Sequence, residues 1–141
     1  MRSVLALGAA GLTTVAAAIS ALEGPGGGDE LQFFAGLTLA GLVAAGAFHP
    51  RLGPHGHVIG AAIAAAWTTA GVWIGALLLF FQAACGCSQP EPIGPPATYL
   101  GLTATAWHLA AMYGSNALIL VAAFGRSTFL DRPLGRSRDL G

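Results

Sequence analysis

Four long runs of this chain contain no aspartate, glutamate, arginine, lysine or proline: residues 4–22, 31–48, 58–84 and 99–124. A helix needs about 20 mostly apolar residues to cross about 30 Å of hydrocarbon. The first two runs just reach that length. The third and fourth exceed it and are predicted to tilt or to extend past the hydrocarbon. Helices of a water-soluble protein carry a charged stripe for solvent, and none of these runs has one. Only 9% of the chain is charged, against about 25% in a soluble domain. Lipid, not water, is therefore the expected solvent over most of the surface, and the fold class is an all-α integral membrane protein.

The segments between the runs end helices. Residues 23–30 read EGPGGGDE, 49–57 read HPRLGPHGH, and 85–98 read CGCSQPEPIGPPAT. Proline removes an amide donor, and glycine adds backbone freedom. Short links between long helices predict an up-down-up-down four-helix bundle. Residues 1–125 form this transmembrane domain, and 126–141 form an arginine-rich tail.

The arginines give the orientation. With four spans, Arg2, Arg51, Arg126, Arg132, Arg136 and Arg138 all fall on one side, while Glu23, Asp29, Glu30 and Glu91 fall on the other. The positive-inside rule makes the arginine side cytoplasmic, both termini included. Lysine is absent, and alanine and glycine abound, which is the composition of a GC-rich bacterial genome and of a bacterial cytoplasmic membrane protein. The competing reading of the first run is a cleaved signal peptide. Its apolar stretch is longer than the usual 7–15 residues of such a segment.

In lipid, helices associate through small residues that let backbones approach and through polar side chains that bond across. Gly36, Ala40 and Ala44 share a row on the second helix, Gly60, Ala64 and Thr68 on the third, and Gly71 and Gly75 form a small-xxx-small pair. These rows serve either packing within the chain or an interface with another membrane chain or a second copy.

Thr105, His108, Met112 and Ser115 lie at steps of three, four and three, so they share one face of the fourth helix. In a span of 99–124, His108 lies near the bilayer midplane. An intramembrane ionisable residue is either hydrogen-bonded and structural or part of a functional site. The structural reading bonds it, neutral, to a threonine or serine on a neighbouring helix, for which Thr13, Thr14, Thr68 or Thr69 could serve. The functional reading makes His108 and Met112 cofactor-binding residues, with the cofactor unknown. Met112 shares a helix with His108 and cannot take the opposite axial position on a haem, so haem would need two chains.

Cys85-Gly-Cys87 falls at the outer end of the third helix. It predicts either a small strained disulfide or a soft-metal site. His49, His55 and His57 cluster in the cytoplasmic link and read as metal ligands or as a solvated loop. Trp67, Trp73 and Trp107 lie within spans and read as core packing, with a quinone or pigment cleft lined by Trp73 and Trp107 as the alternative. The tail arginines suit anionic lipid.

No nucleophile motif, phosphate loop or paired intramembrane carboxylates appear, and a net charge of zero points away from nucleic acid. The sequence therefore reads as a non-enzymatic accessory or assembly subunit that packs against other membrane chains. The alternative is an outer-face redox or metal-binding protein using Cys85 and Cys87, with a cofactor near His108.

Overall fold

A computed structural model describes residues 1–24, 28–85 and 95–125. It contains four long helices: α1 (Arg2–Leu22), α2 (Gly28–Ala47), α3 (Gly53–Cys85) and α4 (Ala104–Phe124). A 3-10 turn (Pro50–Leu52) links α2 to α3, and a two-stranded hairpin, β1 (Thr98–Tyr99) with β2 (Leu102–Thr103), precedes α4. All four helices are long and apolar enough to cross a membrane. At 1.5 Å per residue α1, α2 and α4 are each about 30 Å long, matching the hydrocarbon, whereas α3 reaches about 50 Å. The chain reads as a multi-pass membrane protein built on a four-helix bundle.

The helix boundaries follow local chemistry. Asp29 and Glu30 occupy the first turn of α2, where carboxylates offset the positive end of the helix dipole. Pro54 lies in the first turn of α3, where its missing amide costs nothing. The fourth helix departs most from expectation. It begins at Ala104, because Leu100 and Gly101 both take positive φ (50° and 84°) and turn the chain back as a hairpin. Such primed turns match strand twist, and Gly101 supplies one of the two left-handed positions without strain. Thr103 then caps α4 by accepting a hydrogen bond from the Ala106 amide at 3.3 Å.

The core is made of small side chains. Ala6, Ala9, Ala10, Thr13, Ala16, Ile19 and Ser20 are the buried residues of α1, a stripe at three- and four-residue spacing. It lets α2 and α4 approach closely. The Thr13 hydroxyl donates to carbonyls of its own helix (Ala9 and Ala10), and Thr38 Oγ1 of α2 bonds to it at 2.9 Å.

α3 joins through a few close contacts. A methyl on Gly41 would come within 3.0 Å of the Trp67 ring, and one on Gly60 would overlap the Phe48 ring. The Gly71 and Gly75 pair does face α4: Asn116 lies over Gly71, and the Met112 sulfur would be 2.8 Å from a methyl on Gly75. In α2 the glycine packed inside is Gly41. Gly36 faces outward with no atom within 4 Å of a methyl there, and Ala40 is half-buried against the core. The Ala-Gly pairs recur every five residues and so point in different directions; the large neighbours Phe34 and Leu37, both buried, decide which glycine turns in.

Candidate functional site: a carboxylate–imidazole cluster at the helix ends

His108 lies in the second turn of α4, five residues into the helix. Its expected place at the midplane is corrected by the hairpin, which removes residues 99–103 from the span. The side chain projects toward the end of α1 and the start of α2. Its Nδ1 lies 3.1 Å from Glu30 Oε2, and its Nε2 lies 2.9 Å from Ser20 Oγ. A hydroxyl partner on a neighbouring helix is thus present, as Ser20 instead of the threonines named, and a carboxylate joins it. The imidazole is 14% exposed and Glu30 36%, so the pair sits at the boundary between the packed bundle and its surroundings.

Three further groups complete the site. Glu23 is the C-cap residue of α1, and one ligand atom each from Glu23, Glu30 and His108 lie within 4.8 Å of one another. The Phe34 ring, one turn on from Glu30, is 5.1 Å from the imidazole and covers one side of it. The Ser20 hydroxyl is also 3.0 Å from the Ala16 carbonyl. A hydroxyl has a single proton. Both Ser20 contacts are hydrogen bonds when Ser20 donates to Ala16 and accepts from an Nε2–H of His108. That tautomer turns Nδ1 toward the carboxylates, where either a proton or a cation must separate nitrogen from oxygen.

The remaining candidate residues are dispersed. Met112, one turn along α4, meets α3 at Gly75 instead of the cluster. Along the expected polar seam Ser115 is buried, Met112 and His108 are half-buried, and Thr105 is exposed, so the seam turns inward only over its later part. Trp73 is 66% exposed on α3, whereas Trp107 donates to the Tyr99 carbonyl at 2.6 Å and ties the hairpin to α4. Trp67 Nε1 and Asn116 Oδ1, both close to Gly71, are buried with no hydrogen-bond partner among the described residues.

His49 and His57 line a cavity of about 380 Å³ with Met1, Arg2, Ser3, Phe48 and Pro50. His55 is exposed. Among the described residues, the group whose ligand atoms converge is Glu23, Glu30 and His108, not the three histidines of the link. Cys87 and the side chain of Cys85 lie outside the described residues, as do residues 126–141.

Sequence reasoning placed Glu23 and Glu30 in a link and overlooked Ser20 as a partner. One signal was readable. Asp29-Glu30 directly before an apolar run is the composition of a helix first turn, which would have brought Glu30 onto α2. No family model matches the chain, nor does any curated protein or solved structure.

Proposed function

We propose that this chain is a multi-pass accessory or assembly subunit of the bacterial cytoplasmic membrane that packs against a transmembrane helix of another chain. Gly36 carries the reading. The glycines at 41, 60, 71 and 75 are each spent on a contact inside the chain, but Gly36, like Gly11 and Gly46, faces outward with nothing within 4 Å, and Leu39 and Val43 on the Gly36 side of α2 are exposed. Lipid chains gain nothing from a glycine, whereas a second helix backbone can approach closely there.

The proposed topology is up-down-up-down, with the Arg2 and Arg51 end in the cytoplasm and the Glu23, Asp29 and Glu30 end outside. Single cysteines introduced at Arg51 and at Asp29 test it: an impermeant reagent applied from outside is expected to label the Asp29 site alone, and labelling of the Arg51 site alone would invert the orientation. The assembly reading is tested with Gly36→Leu. Unfolding stability is expected to stay unchanged, while co-purification of a partner chain or cross-linking between copies is lost. Intact association in the folded variant would refute an interface at this face.

A further inference from the structure

We propose that Glu23, Glu30 and His108 bind one divalent first-row transition-metal ion, of the zinc or manganese class, at the ends of α1, α2 and α4. The inference is independent of the assembly reading, since it concerns only groups within this chain.

The donor set selects the ion. One imidazole nitrogen with two carboxylates suits borderline divalent ions. Calcium and magnesium favour all-oxygen shells, and Cu(I) favours sulfur. Two carboxylates and a neutral imidazole carry the charge that a dication cancels.

The spacing is close to that of a loaded site. Ligand atoms bound at about 2.0–2.2 Å around a tetrahedral ion lie roughly 3.5 Å apart. The 3.1 Å from His108 Nδ1 to Glu30 Oε2 is near that separation. Glu23 is exposed, and its ligand atom lies within 4.8 Å of the other two, so a tetrahedral ion would keep a fourth position for water or an exogenous ligand.

The surroundings of His108 point the same way. A metal-binding histidine commonly donates its other ring N–H to a fixed acceptor, which sets the tautomer and the ring orientation. Ser20 fills that place when its own proton goes to the Ala16 carbonyl. It is fully buried (1% exposed) and anchored by its own bond to the Ala16 carbonyl. Phe34 holds the ring from the side. In that tautomer the Nδ1 lone pair faces Glu30, with Glu23 in the same cluster. A shared proton can bridge Nδ1 to Glu30, but it leaves Glu23 without a role, whereas a metal ion uses all three groups.

The test uses the full chain in mild detergent, in a Cys85→Ser, Cys87→Ser background so that thiols do not bind the probe. After chelator treatment, Zn²⁺ and Mn²⁺ binding is measured by equilibrium dialysis with elemental analysis. One ion per chain is expected, with a higher unfolding temperature that equal Ca²⁺ does not produce. Glu30→Gln and His108→Gln should abolish binding. Ser20→Ala, which keeps every ligand, should weaken it roughly 10–100-fold. Glu23→Gln alters an exposed side chain outside the core, so it should fold normally and still lose affinity at least tenfold. Substituting His49 and His57 together should change nothing. Failure to bind either ion would overturn the proposal and leave a proton between His108 and Glu30. Binding that survives Glu23→Gln and Glu30→Gln, or that disappears with His49 and His57, would overturn it as well.

Discussion

The two ends of this bundle tie the same helices together by opposite chemistry. At one end the Arg2 guanidinium of α1 donates to the carbonyls of Ala122, Ala123 and Gly125 at the close of α4. The last carbonyls of a helix lack partners within it, and a permanently charged donor satisfies them in all conditions. At the other end α1 meets α4 through Ser20 and His108, with Glu30 of α2 alongside. That contact depends on what lies between an imidazole and a carboxylate. Close backbone approaches accompany it where α2 meets α3, beside the cavity that Arg2, His49 and His57 line: a methyl on Gly56 would overlap the Ala47 carbonyl, and Gly60 lies under the Phe48 ring. The second end leaves Glu23 exposed and Glu30 partly so. One end is tied by a charged fork on backbone carbonyls, and the other by a contact that depends on a proton or a bound ion.

The largest effect that would expose this difference is at Gly56. Gly56→Ala is expected to cost about 3 kcal/mol, the upper range for overpacking, because the obstacle is a backbone carbonyl and not a movable side chain. Unfolding in mixed detergent measures it. A cost under about 1 kcal/mol would mean that the arginine end is looser than its contacts imply. Arg2→Met comes next. It keeps the apolar stem and removes the donors, with an expected loss of about 2 kcal/mol, the scale of a hydrogen bond from a charged group. Arg2→Lys should recover only part of this, since one ammonium cannot reach three carbonyls as a planar fork does. Full recovery by lysine would reduce the Arg2 contact to simple charge.

How much of this was legible in the sequence varies by residue. The four spans follow from apolar runs, and hydrophobic length needs no tertiary information. Gly71 and Gly75 were legible as a packing pair because they are neighbours on one helix face, and Met112 and Asn116 do cover them. The start of α4 was not legible. Residues 99–103 are apolar enough to extend a helix, and only the positive φ values at Leu100 and Gly101 exclude them. That shift of five residues moved His108 from mid-membrane to a helix end and changed its partners. Gly36 and Gly41 look alike in composition, and only the buried Phe34 and Leu37 select Gly41 for the interior. The site was the least legible part, because its four groups come from three helices and their meeting depends on how each helix is rotated.

His108 provides the smallest and most discriminating test of the contrast between the ends. His108→Leu removes the partner of Ser20 and Glu30 at once. Ser20 retains its bond to the Ala16 carbonyl, and Glu30, being partly exposed, can turn to water. The expected cost is therefore about 1 kcal/mol, the low end of the roughly 1–3 kcal/mol for stranded buried groups. His108→Gln should cost less still, within about 0.5 kcal/mol, because the amide N–H₂ can donate to Ser20 in place of Nε2–H. Paired unfolding measurements on the two variants, beside Arg2→Met, decide the matter. If His108→Gln is as destabilising as Arg2→Met in metal-free protein, the imidazole is a structural clasp equal to the arginine, and the two ends do the same work. If it is nearly silent there, yet loses the stabilisation that added Zn²⁺ gives the wild type, then the bundle holds together without His108 and the imidazole is kept for what it binds.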